Sequence, residues 1–205
     1  MKCLLFVASI WQAALTKATW VAHVNALQAP LAMRGWLTDR KSLTQKLCAH
    51  YWQFEVRRLR QGAACCTADE AALLGLSRRR KVQQREVVLL GDGLPLVYAH
   101  TVLPLQANAA DWPFYRGLGA RSLGTSLFGD PLVRRGALHF ARLRPSHPLA
   151  QRAGVALGQM PPRWYARRCL FWRKQGVLLV TEIFSPAVAA DGTGIITPTL
   201  ASVAD

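Results

Sequence analysis

Acidic residues are scarce in this chain: 205 residues carry 26 lysines and arginines against 11 aspartates and glutamates, a formal charge of +15. An excess of that size favours anionic partners: nucleic acid, a charged surface, or small acids drawn in by the field. The arginine clusters (Arg57-Arg58-Arg60, Arg78-Arg79-Arg80-Lys81, Arg134-Arg135, Arg163-Arg167-Arg168) fall in separate segments. No recognition-helix, RNP or zinc-finger pattern accompanies them, so nucleic acid is not an expected partner. Cysteine is sparse too. The five (Cys3, Cys48, Cys65, Cys66, Cys169) form no C-x-x-C pair and are odd in number, which fits reduced cytoplasmic thiols rather than a disulfide framework or a zinc site. The five histidines show no H-x-x-x-H or H-x-H spacing, and no metal is expected. No apolar run reaches about 18 residues, so no integral membrane segment is expected.

What is present suits one globular domain: 51% hydrophobic and 18% charged residues, without an internal repeat or a dividing linker. A cytoplasmic monomer is the expected state. The start, MKCLLFVASIW, resembles a short signal-peptide core, but Gln12 interrupts it and no A-x-A site follows. A terminal helix, or a start codon assigned too far upstream, fits equally well. Residues 1–19 are therefore set apart as an extension, residues 20–186 as the domain, and residues 187–205 as a loose, small-residue tail.

Along the domain, APLAMRGWLTD reads as a helix opened by Pro30 and ending near Asp39. Ser42-Leu43-Thr44-Gln45 is a capping box that starts a second helix running toward His50, and Thr67-Ala68-Asp69-Glu70 is another that opens AALLGL. Residues 52–59 alternate as a strand does. Residues 85–90 and 96–103 flank Gly91-Asp92-Gly93 as a hairpin, and a second hairpin joins WYARRCLFW to VLLVTEIF through RKQG. Asp111-Trp112-Pro113 reads as a helix cap, SLGTSLF as a short helical or irregular piece, and residues 136–143 as a strand. Residues 145–162, with four prolines and two glycines, read as a loop or lid. The sum is α+β: an antiparallel sheet with helices to one side.

Two charges interrupt this pattern. Glu182 shares a strand face with Leu178, Val180 and Phe184, and Arg85 shares one with Val87 and Leu89. A lone carboxylate facing a core costs several kcal/mol, or takes up a proton. Arg85 and Glu182 either pair with each other, or Arg85 reaches solvent at a strand end, or the two stand at opposite ends of a cavity. A cavity of that kind suits a small ring with a carboxylate for the arginine and a hydroxyl for the glutamate.

The segments SLTQKL, REVVLLGDGLPLVYAHTVLP, SLGTSLF and GVLLVTEIFSP, in that order and spacing, resemble the chorismate lyase family, with similarity running from about Trp20 to Pro186. The resemblance implies an antiparallel β-sheet with helices and helical flaps covering an internal ligand cavity. It also implies cleavage of chorismate to 4-hydroxybenzoate and pyruvate without metal or cofactor, a first step toward ubiquinone. By motif it places the ring carboxylate on Arg85, the 4-hydroxyl near Glu182, and main-chain contacts on Leu43 and Leu123. Arg168, Arg142 and Lys81 are candidates for a second carboxylate. His100 and Tyr98 are expected to be core residues, and the tryptophans core and flap packing.

The rival class is the small-molecule effector-binding domain of GntR-type regulators, which shares the fold and leaves its ligand unchanged. Such domains normally follow a winged helix-turn-helix, for which 205 residues leave no room. A basic nucleic-acid or membrane-surface protein rests on charge alone.

Overall fold

Six strands pair in one antiparallel sheet in the order β1-β2-β3-β6-β5-β4, in a computed structural model that describes residues 18–190 other than 79 and 108. The strands are β1 (Phe54–Cys65), β2 (Lys81–Gly91), β3 (Leu94–Pro104), β4 (Arg134–Leu143), β5 (Trp164–Arg173) and β6 (Gly176–Phe184). The helices are α1 (Leu31–Thr38), α2 (Leu43–His50), α3 (Ala68–Leu73), α4 (Leu123–Gly129), α5 (Pro148–Leu157) and α6 (Ala187–Ala190). The architecture is α+β, as the pattern of runs implied.

Turn chemistry fixes the registers. Asp92 and Gly93 both take left-handed backbone, φ 50° and 79°, the conformation a two-residue hairpin turn needs. They pair Gly91 with Leu94 and, further along, Arg85 with Thr101. In the other hairpin Lys174 (φ 50°) lets Arg173 face Gly176. Each step back along β5 is then matched by one forward along β6, and Arg167 falls opposite Glu182.

Helices cover both faces of the sheet, not one. On the first face α1, α2 and α4 pack over Val87, Leu89, Leu178, Phe184 and Phe171. On the second, α5 packs over Val88, Tyr98, Ala166 and Ile183, while α3 joins Val82, Val102 and Leu179. The reason lies in β2, whose side chains from Gln84 to Leu90 are buried on both faces, so each face needs a cover.

Three local expectations change. Residues 145–162 are not a lid, because Pro148–Leu157 is α5. His147 caps it, accepting from Leu149 N at 3.2 Å, and Pro148 occupies the first turn, where its missing N–H costs nothing. Leu149, Ala150, Ala153 and Leu157 then form an apolar stripe on the second face of the sheet. Asp111-Trp112-Pro113 opens a series of turns instead of a helix, with Tyr115 N bonded to Trp112 O at 3.1 Å and Gly119 at φ 54°. β1 begins at Phe54 and runs on to Cys65, past a bulge between Arg58 and Arg60, because its partner β2 extends back to Lys81.

The apolar start of the chain and the tail beyond Ala190 lie outside the described residues. Val188 of α6 is buried among the first face's core. Among the tryptophans, Trp36, Trp112 and Trp164 are buried, whereas Trp52 is 73% exposed.

Candidate active site

Between the first face of the sheet and helices α2 and α4 lies a cavity with about 660 Å³ of non-atom space, its open mouth included. Leu43, Arg85, Leu123 and Glu182 all line it. The walls are largely apolar, from Val87, Leu89, Ala99, Leu127, Phe128, Phe171 and Val180.

Arg85 is 2% exposed, and its Nη2 donates to the carbonyls of Gly119 (3.0 Å) and Arg121 (2.8 Å). Those carbonyls belong to the turns before α4, so the guanidinium is aimed by backbone instead of by a counter-ion. Its Nε has no hydrogen-bond partner among the described residues. Burial pulls its pKa below the usual range, yet a guanidinium stays charged at any physiological pH. A desolvated cation without a carboxylate is costly to hold. An anionic ligand would relieve that cost.

Glu182 is not the partner of Arg85. Its Oε2 accepts from Nε of Arg167, directly opposite on β5. Arg167 is 1% exposed, and its Nη1 donates to the carbonyls of Trp36 (3.0 Å), Leu37 (3.3 Å) and Asp39 (2.8 Å). These are carbonyls at the end of α1, otherwise unsatisfied and negatively polarised. Arg167 thus holds the Glu182 carboxylate by one oxygen and α1 by its end. No described residue hydrogen-bonds Oε1 of Glu182, the oxygen left for a ligand.

Leu43 and Leu123 are the first residues of α2 and α4. Ser42 caps α2, its Oγ accepting from Gln45 N at 3.4 Å. Thr44 Oγ1 and Ser122 Oγ hydrogen-bond each other across the two helix starts. Gly124 keeps this seam closed, since a Cβ there would lie 3.2 Å from both Ser42 Oγ and Thr44 Oγ1. Two helix beginnings, with their spare N–H groups, therefore meet at one wall of the cavity.

Three cations line the cavity that the sequence reading did not choose: Lys41, Arg135 and Arg167. Arg167 was legible, because the Arg173-to-Gly176 turn alone fixes its position opposite Glu182. Arg135 and Lys41 carry no local signal. The residues chosen instead for a second carboxylate lie elsewhere. Arg168 follows Arg167 on the strand and so faces the other way, its guanidinium 4.1 Å from the Trp20 ring centroid. Burial brings its pKa down to about 10. Arg142 and Lys81 are exposed and do not line the cavity.

His100 and Tyr98 also belong to the second face. His100 Nε2 lies 3.0 Å from Glu70 Oε1, His100 Nδ1 lies 3.5 Å from Glu86 Oε1, and Arg152 Nη1 donates to Glu86 Oε1 at 2.6 Å. Burial works against ionisation throughout this group. The hydrogen bonds outweigh it, bringing Glu86 down to about 2 and raising His100.

A model of the chorismate lyase family matches residues 14–190. The chain belongs to that family. Within it, the chain is 46% identical over 169 residues to the "Probable chorismate pyruvate-lyase" of Ralstonia nicotianae, covering 78% of this chain and 87% of that one. It is 47% identical over 170 residues to the protein of the same name from Cupriavidus pinatubonensis, covering 82% and 88%. As a chorismate lyase family member this protein is an enzyme of the lyase class. Among solved structures, PhnF from Mycobacterium smegmatis superposes with a TM-score of 0.54 at 17% identity, covering 73% of this chain and 66% of that one. The C-terminal domain of the histidine utilization repressor from Pseudomonas syringae pv. tomato gives 0.50 at 13% identity, covering 66% and 93%. At such identities the likeness is one of fold. Among the described residues no helix is long and apolar enough to cross a membrane.

Proposed function

We propose that this chorismate lyase family member splits chorismate into 4-hydroxybenzoate and pyruvate, as a first step toward ubiquinone. The observation that carries the reading is Arg85: a buried guanidinium, held by two carbonyls at an apolar cavity and, among the described residues, without a carboxylate partner. The ring carboxylate of the substrate supplies the missing anion. The 4-hydroxyl then donates to the free oxygen of Glu182, and main-chain N–H groups at Leu43 and Leu123 hold the ligand from the helix side.

The chemistry asks little beyond this. Chorismate loses the hydrogen at C4 as a proton, and the C3–O bond to the enolpyruvyl group breaks. The electron pair of the C–H bond completes the aromatic ring. The departing enolate takes up a proton at carbon and becomes pyruvate. Nothing is oxidised or hydrolysed, so no cofactor is called for. The protein's part is to hold one conformer in a dry chamber. Glu182, fixed through Oε2 by Arg167, orients the 4-hydroxyl and serves as the acceptor for the departing proton.

The test is direct. Purified protein mixed with chorismate should release pyruvate and 4-hydroxybenzoate together, well above the uncatalysed rate. Binding of both compounds without turnover would favour an effector-binding role. Glu182→Gln should lower kcat more than it weakens 4-hydroxybenzoate binding, and equal losses would leave the carboxylate a positioning group only.

A further inference from the structure

We infer that Arg135 is the anchor for a second carboxylate, so that the cavity is built for a diacid and not for a monoacid. That the diacid is chorismate rests on the proposed function, whereas the surplus of positive charge around the cavity does not. Lys41, Arg85, Arg135 and Arg167 line the cavity with a single carboxylate, Glu182, which Arg167 already engages. One ligand anion on Arg85 leaves the surplus only partly met.

Arg135 has the build of an anion site. Its guanidinium lies 5.3 Å from the Phe128 ring centroid and 5.8 Å from that of Phe171, over two aromatic rings that line the cavity. Nη1 donates to the Arg40 carbonyl, which fixes its orientation. Nε is buried with no hydrogen-bond partner among the described residues. No ion pair to a described carboxylate offsets its charge. The exposed Lys41 lines the same cavity and adds to the positive field there.

Position across the sheet gives the order of the ligand's groups. Arg85 is on β2, Glu182 on β6 and Arg135 on β4, at the second, fourth and sixth places in the sheet. The backbones of β2 and β4 are thus four strand steps apart, about 19 Å in all, with both guanidiniums reaching one chamber. The sequence is cation, hydroxyl acceptor, cation. A ring held by its carboxylate on Arg85, with its para hydroxyl at Glu182, carries a neighbouring carboxylated ether beyond Glu182 toward Arg135.

Two aromatic probes test this without relying on turnover: 4-hydroxybenzoate, with one carboxylate, and 3-[(1-carboxyethenyl)oxy]benzoate, with two. By calorimetry Arg135→Gln should weaken the diacid about thirtyfold or more, as when one partner of a desolvated charge pair is removed. Its affinity for 4-hydroxybenzoate should stay near that of the wild type, which also shows that the variant folds. Arg135→Lys should recover part of the loss. In kinetics the same variant should raise KM for chorismate far more than it lowers kcat. Equal losses for both probes, or no loss for the diacid, would overturn the assignment. If the wild type released no pyruvate the lyase reading would fail, yet the two-probe difference would still decide the role of Arg135.

Discussion

On the second face of the sheet His100 sits between Glu70 and Glu86, and Arg152 closes the group on Glu86. On the first face Arg85 and Arg135 have carbonyls and aromatic rings around them but, among the described residues, no carboxylate in an ion pair with either. Glu70, Glu86, His100 and Arg85 are buried, Arg152 and Arg135 half-buried, and both sets sit among apolar residues. The first arrangement sets two carboxylates against a histidine and an arginine, so each carboxylate there has a basic side chain of the protein beside it. The second carries a surplus of one sign. A strongly perturbed titratable group is thus poor evidence of a site by itself, since ion-pair networks perturb as much as active centres do. Unbalanced charge facing an apolar cavity is the better guide.

The sharpest way to break this contrast is at Arg85. Arg85→Ala should cost roughly 2–5 kcal/mol in 4-hydroxybenzoate binding, measured by calorimetry, while its thermal midpoint stays at or above that of the wild type because a buried unpaired cation is gone. Intact affinity would move the carboxylate anchor elsewhere. The mirror-image change is Glu86→Ala, which strands His100 and Arg152. It should lower folding stability by about 3 kcal/mol in urea titrations and leave 4-hydroxybenzoate affinity unchanged.

Acid provides a second probe of the same group. The Glu86 carboxyl is held at about 2 in the folded chain against an ordinary 4.5, so its contribution is fully present above pH 4.5. That contribution drains away as pH falls from there toward 2, by about 3 kcal/mol in all. Urea midpoints should fall steeply over that window in the wild type and more gently in Glu86→Gln. His100 has the opposite sign. Its folded pKa is raised, so its contribution is complete below about 6.5 and fades as pH rises through the folded value. Stability measured upward from neutral pH should decline less in His100→Gln.

The smallest effects compare two helix caps. Thr67 forms a full capping box with Glu70 at the start of α3, and Ser42 caps α2 beside Leu43. Alanine at either position should cost about 1 kcal/mol of stability. Only Ser42→Ala should also weaken ligand binding, because only that helix start lines the cavity. Equal binding losses would argue against a ligand role for the Leu43 main chain.

Much of this was legible in the chain itself. Strand alternation singled out Arg85 and Glu182 as wrong letters on apolar faces, and the two tight turns set the registers that carry them. The turn at 173–176 even assigns Arg167 to Glu182, by counting back from it. The capping boxes placed Leu43 and the start of α3. What misled was composition: four prolines in residues 145–162 suggested a lid, whereas one of them begins a helix and its apolar spacing decides the rest.

Local sequence determined the elements, their turns and which residues share a face, because those follow from backbone sterics, hydrogen-bonding caps and the two-residue period of a strand. Only the tertiary structure decided that Arg85 meets the carbonyls of residues 119 and 121, that the end of α1 closes on Arg167, and that Arg135 and Lys41 join the same chamber. These contacts link residues 34 to 131 positions apart. No short-range preference encodes such meetings; they arise when strands far apart in sequence are paired and helices close over one face to bury it.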